Sequence, residues 1–220
     1  MLGGAFDPPH VAHRAMAQHA INQMQLDVLH VVPTGYAWHK ARPLTDAKHR
    51  LAMCELAFAG LPQVLMDDRE IRRSGPSYTL DTLRELRAQY PAAELVLVMG
   101  QDQWDALPSW NHWQTIAELA TLVVAARAAE SDTPMASNSG ARLGADTIAA
   151  PASAQSSLPL SSILKHGSVQ AQRLAMPLLP ISATAIRHQV FTGQGLDPLA
   201  LVDPAVARYI SAHHLYETAT

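Results

Sequence analysis

Five short apolar runs, separated by stretches with helical spacing, constrain what this chain can fold into more than any other feature. The runs are DVLHVVP (27–33), VLMDD (64–68), ELVLVMG (94–100), TLVVAAR (121–127) and AMPLLP (175–180). They read as strands, and the intervening spacing predicts helices near 10–24, 45–60, 79–90, 110–120, 183–192 and 203–214. Strict alternation of this kind predicts an α/β fold, a doubly wound and mostly parallel sheet with helices on both faces and a small C-terminal helical region. Sheets so built bind ligands beyond the carboxyl ends of their strands, where the strand order reverses. The loop after the first strand is then expected on the binding edge.

At 220 residues the chain suits one sizeable domain, spanning 1–220. A formal net charge of −3 supplies no basic field for nucleic acid or an anionic membrane, so phosphate recognition has to come from a local cluster and the ligand should be small. No apolar run approaches the roughly 20 residues of a membrane span, and no charged-then-apolar leader opens the chain, so a cytoplasmic location is expected. The single cysteine, Cys54, lies in an apolar helical stretch; it excludes a disulfide within the chain and reads as a buried, inert thiol. Residues 128–172, rich in Ala, Ser, Gly and Pro, read as a flexible linker or insertion.

The chemistry is concentrated at the start, in MLGGAFDPPHVAH. Gly3 and Gly4 allow close approach of backbone to a bulky anion, Pro8 and Pro9 hold a rigid turn, and His10 and His13 fall at the start of a helical stretch. Their spacing puts both rings on one helix face, beside N–H groups and positive dipole density that favour an anion. Only Met1 and Leu2 precede the glycines, against roughly 5–6 residues in a typical strand, so the first strand is expected to be clipped, its start lying upstream or its place filled by a neighbouring element. A second phosphate element is ISATAIRHQVF (181–191), where Ser182 can cap a helix, Thr184 falls in its first turn and Arg187 one turn on.

GGAFDPPHVAH resembles the GGTFDPxHxGH signature of the nucleotidyltransferase superfamily, with Ala5 where a hydroxyl residue is usual and Ala12 where glycine is usual. ISATAIR resembles the ISSTxIR element of the same superfamily. The resemblance implies a Rossmann-like fold that moves a nucleotidyl group from a nucleoside triphosphate onto a phosphate. It implies ATP contacts from Gly3, Gly4, Ala5, Phe6, Ser182 and Thr184, and catalytic roles for His10, His13 and Arg187.

The middle of the chain selects the acceptor. SGPSYTLDTLREL (74–86) resembles the SYTxxTL turn of bacterial nicotinate mononucleotide adenylyltransferases. That likeness implies acceptor contacts from Ser77, Tyr78 and Thr79, with a carboxylate at a helix N-terminus favoured over a neutral amide. Aromatic residues make up only 5% of the chain, yet three of its four tryptophans fall within MGQDQWDALPSWNHW (99–113), which suggests a flat ligand. Trp110 matches the family's ring-stacking tryptophan, and Gly100 and Asp102 match its nucleotide-binding GxD element. Trp104 and Trp113 read as packing residues. Lys40, from an HK pair that follows Trp38 instead of the usual proline, is assigned to the acceptor side. Arg50, Glu70 and Arg127 recur in the family pattern and read as supporting residues. The closing VARYISAHHLY fits the family's last helix.

The reaction implied is AMP transfer from ATP to nicotinate mononucleotide, with Mg²⁺ as cofactor accompanying ATP and with homo-oligomerisation left open. Rival readings are a pantetheine-phosphate or nicotinamide mononucleotide adenylyltransferase, and a nucleotide sensor that binds without turnover. A zinc site is disfavoured, because none of the 11 histidines joins the HxxH pair with a recognisable carboxylate or Cys partner. A hydride-transferring dinucleotide enzyme is disfavoured by the lack of a GxGxxG turn.

Overall fold

A computed structural model describes residues 1–36, 43–125, 163–177, 179–193 and 201–217. Trp38, His39, Lys40, Arg127 and most of the 128–172 segment lie outside the described residues. Seven strands form one sheet: β1 (Leu2–Gly4), β2 (Leu29–Pro33), β3 (Val64–Met66), β4 (Val96–Gly100), β5 (Thr121–Ala125), β6 (Ile163–His166) and β7 (Val169–Leu174). Their order is β3-β2-β1-β4-β5-β7-β6, parallel throughout except where β6 and β7 pair antiparallel.

The alternation of side chains along the strands explains why both faces are covered. On β4, Leu97 and Met99 join one core while Val98 joins the other, and on β5 Leu122 and Val124 oppose Val123 in the same way. The face of Val98 and Val123 is covered by α1 (Val11–Met24), α2 (Ala47–Ala57), α7 (Ala183–Phe191) and α8 (Pro204–Ala212), through Ala17, Ala20, Met53, Ile186, Val206 and Ile210. The opposite face is covered by α4 (Thr79–Gln89), α5 (Gln101–Ala106), a 3₁₀ turn (Leu107–Ser109) and α6 (Trp113–Leu119), through Leu80, Leu83, Trp104, Leu107 and Ile116. The C-terminal helices are thus part of the main layer. A four-residue helix, α3 (Arg69–Arg72), links β3 to α4.

β1 lies at the reversal of strand order: β2 pairs with it on one side, in register Gly3↔Val32, and β4 on the other, in register Leu2↔Val98. The glycines therefore belong to the strand instead of hanging from its end. The site is set at this reversal.

Two strand assignments differ from the sequence expectation. The described residues of AMPLLP form no strand; β7 ends at Leu174, and Pro177 and Pro180, which lack N–H groups, follow it as loop. The other lies within the segment expected to be a linker, where residues 163–174 form a hairpin turning at Gly167, whose φ is 57°. Val169, Ala171 and Leu174 are buried while Gln170 and Gln172 are exposed, so this edge hairpin carries too few large apolar side chains to announce itself by composition.

A nucleotide-sized cleft with two chambers

The carboxyl ends of β1 and β4 open onto two cavities that share a floor. The larger, about 510 Å³, is lined by Gly3, Gly4, Ala5, Phe6, His10 and His13 from the first motif, Gly100 and Asp102 after β4, and Ser182, Thr184 and Arg187 from α7. The smaller, about 350 Å³, is lined by Ser77, Tyr78, Thr79 and Trp110, with Thr34 and Glu70. Gly3, Gly4, Ala5, Asp102 and Gln103 line both. Every candidate site residue among the described residues thus faces one chamber or the other, and the two groups fall where the motifs divide them.

His10 is the N-cap of α1, 8% exposed, and its ring stacks on that of His13 with centroids 3.7 Å apart and planes at 26°. The His10 backbone N–H donates to Nδ1 of His13 at 3.2 Å. A neutral His13 therefore carries its proton on Nε2. Burial pushes the His10 pKa down to about 4, and burial followed by repulsion from His10 holds His13 well below the ordinary histidine range. Both rings are neutral hydrogen-bond donors at pH 7. Phe6 packs edge-on against His13, its ring centroid 5.0 Å away, and is itself in the left-handed region at φ 46°.

On the opposite wall Ser182 caps α7, its Oγ accepting the Ala185 N–H at 3.2 Å. Arg187 donates Nη2 to Thr184 Oγ1 at 3.0 Å and Nη1 to the Asp7 carbonyl at 2.6 Å, which brings the two ends of the chain together across the larger chamber. Asp102 folds back over Gly100 so closely that a Cβ there would meet its Oδ1 at 2.8 Å. Asp102 lies at the junction of the chambers, lining both.

The smaller chamber is built around the start of α4. Tyr78 is the N-cap with no side-chain cap bond, so the first N–H groups of the helix receive nothing from a capping side chain. Ser77 Oγ is buried with no partner among the described residues, and the Ser77 N–H donates to the Tyr36 carbonyl at 3.2 Å. Glu70 is buried, and its Oε1 accepts the Thr82 hydroxyl at 2.7 Å; burial raises its pKa from the ordinary carboxylate value. Trp104 is 3% exposed in the core while Trp110 borders the chamber, in keeping with the separate reading of the two.

Gly35 carries a role not assigned from the sequence. A Cβ at this position would lie 2.0 Å from the Glu70 carbonyl oxygen, a backbone atom that cannot step aside. The sequence signal for it is a glycine two positions past the end of a strand in PTGY, where close backbone approach is common. Arg50, 1% exposed, donates to the carbonyls of Ala5 at 2.9 Å and Thr45 at 2.8 Å and so braces the first motif from beneath.

A cytidylyltransferase-like family model matches residues 1–189. A probable nicotinate-nucleotide adenylyltransferase of Albidiferax ferrireducens is 48% identical to the chain, covering 100% of it and 98% of the relative. One of the same name from Methylibium petroleiphilum is 37% identical, covering 98% and 91%. Among solved structures, the Plasmodium falciparum nicotinic acid mononucleotide adenylyltransferase complexed with NaAD superposes with a TM-score of 0.68 over 99% of this chain and 96% of that one, at 17% identity, a likeness of fold.

Proposed function

The chain belongs to the cytidylyltransferase-like family, among its nicotinate-nucleotide adenylyltransferases, and on that premise we propose that it transfers AMP from ATP to nicotinate mononucleotide. The observation that carries the reading is the pair of chambers meeting over Gly3–Ala5, one furnished for phosphates and one with an aromatic side wall and a helix N-terminus.

A phosphate oxygen of the acceptor attacks the α-phosphorus of ATP. The new P–O bond gives nicotinate adenine dinucleotide, and the bond to the bridging oxygen breaks to release pyrophosphate. The nucleophile is already anionic, so neither a general base nor a covalent enzyme intermediate is needed. Alignment and charge stabilisation supply the rate. His10 and His13 donate to the α-phosphate and the departing pyrophosphate as neutral rings, and Arg187 offsets the charge that accumulates on the leaving group. Gly3, Gly4, Ala5, Phe6, Ser182 and Thr184 cradle the nucleotide phosphates, and Gly100 and Asp102 lie toward its hydroxyls. Ser77, Tyr78 and Thr79 receive the nicotinate carboxylate at the start of α4, Trp110 takes the ring, and Lys40, outside the described residues, completes the acceptor side.

Mg²⁺ enters with the substrate. The described residues contain no group of three or more His, Cys, Asp or Glu able to hold a metal, whereas Mg²⁺ is commonly carried on substrate phosphates with water completing its shell. Among the described residues, no helix is long and apolar enough to cross a membrane.

The test is pyrophosphate release from MgATP with nicotinate mononucleotide, its amide or phosphopantetheine supplied separately. Turnover is expected with the acid, less with the amide, and none with phosphopantetheine. Release with phosphopantetheine alone, or with no acceptor, would sink the assignment.

A further inference from the structure

Three elements converge on the short turn that joins β1 to the histidines. From α2, Arg50 holds the Ala5 carbonyl. The Asp7 carbonyl accepts Nη1 of Arg187 from α7. The Asp7 side chain, 2% exposed, receives the Tyr216 hydroxyl on Oδ1 at 2.8 Å and the Thr45 N–H on Oδ2 at 3.4 Å. Tyr216 follows α8 and is separated from Asp7 by 209 positions in sequence, yet its phenol reaches under the catalytic turn and is itself 8% exposed.

Between these anchors sits Phe6, whose left-handed backbone a bulky L-residue does not hold without help. Its ring is fixed edge-on by His13 on one side and by Phe58, 5.9 Å away, on the other. The turn thus owes its shape to partners drawn from elsewhere in the chain. We propose that Tyr216 is a positioning residue for adenylyl transfer: by donating to Asp7 it locks the Phe6–Asp7 turn in the form that aims His10 and His13 at the α-phosphate and sets Arg187 on the facing wall.

The inference rests on the adenylyl-transfer reading, but its physical content is narrower. A carboxylate this buried needs its donors, and taking one away displaces the turn or admits water beneath it. Burial, followed by the charge of Asp7, keeps the Tyr216 phenol protonated well above its ordinary range, so it remains the donor of the pair at working pH. The effect should be confined to one chamber. Phe6, Asp7 and Arg187 border the larger cavity and not the smaller, so loss of the lock should be felt on ATP and on turnover while the acceptor is bound as before.

The experiment compares Tyr216→Phe, Asp7→Asn and the double variant in the full chain. For each, kcat, the KM of both substrates, the Kd of a non-hydrolysable ATP analogue and the thermal midpoint are measured. Tyr216→Phe removes one oxygen and keeps the packing of the ring. It is expected to lower kcat about tenfold and to weaken the analogue severalfold, the scale of one hydrogen bond to a charged group. Acceptor KM should stay within about twofold, and the double variant should be little worse than the poorer single one, because Tyr216→Phe removes the donor of the contact and Asp7→Asn removes the charge that it meets. Unchanged kcat and analogue affinity in Tyr216→Phe, or equal losses on both substrates that track only the folded fraction, would overturn the proposal. Should Tyr216→Phe fold poorly, Asp7→Asn is judged by the same split. If wild-type protein released no pyrophosphate with any acceptor, the functional reading would fail by itself, and analogue binding would still decide the role of Tyr216.

Discussion

His10 and His13 illustrate how a residue's chemistry is set by its neighbours. Each ring is enclosed and stacked on the other, so a positive charge on either lacks solvent and meets a second imidazole. The His10 pKa of about 4 lies below the ordinary value of 6.5, so the unfolded chain binds a proton that the folded chain refuses between those limits. Stability therefore rises with pH across that interval; it is complete above about pH 6.5 and is lost as the pH falls toward 4. His13, shifted in the same direction, adds to the loss. Urea midpoints measured from pH 7.5 to 4.5 should decline, and His10→Asn should flatten part of that slope. An undiminished slope in His10→Asn would show that the proton is taken up elsewhere. The motif made both histidines legible as a pair on one face, but their charge state was not legible. That depends on the burial of both rings and on the closeness of His10 to His13, which exist only once the turn is folded.

At the scale of elements, the passage from β2 through α3 into α4 decides how the acceptor chamber is held. Gly35 lets the loop after β2 lie directly on the Glu70 backbone, and the Ser77 N–H then bonds the Tyr36 carbonyl just before α4 begins. Arg73 reaches Thr82, and Thr82 reaches Glu70, so the short helix α3 is tied to the first turns of α4. A methyl at Gly35 cannot be accommodated without moving α3, a displacement of the kind that costs about 1–3 kcal/mol in a packed interior. Gly35→Ala should accordingly raise acceptor KM by about tenfold or more, with ATP-analogue affinity within about twofold of wild type, as read by steady-state kinetics and titration. Equal loss on both ligands would point to general unfolding instead. The long helices and strands β2 to β5 were visible as periodicity because each buries a continuous stripe or run. α3 and the β6–β7 hairpin were not, being four residues long in one case and half-exposed at a sheet edge in the other.

The molecule as a whole divides its work across the reversal of strand order, and this division is itself testable. β1, Ala5 and the first turn of α5 contribute a floor common to both chambers, but the walls come from separate parts: α1 and α7 on the face of one core, α4 and the loop bearing Trp110 on the face of the other. Arg187 and Trp110 line different chambers and so share no cavity. Trp110→Ala removes a flat aromatic surface of the kind worth about 1–3 kcal/mol to a stacked ring, and should raise acceptor KM roughly 10- to 100-fold while ATP KM changes little. Arg187→Ala removes a guanidinium from the phosphate wall and should act chiefly on kcat and ATP. Because the two line separate chambers, their effects on kcat/KM for the acceptor should add in free energy to within about 0.5 kcal/mol in the double variant. A strong coupling between them would mean that closing on one ligand reshapes the chamber of the other, so that the shared floor of Gly3, Gly4 and Ala5 transmits strain as well as supporting both substrates.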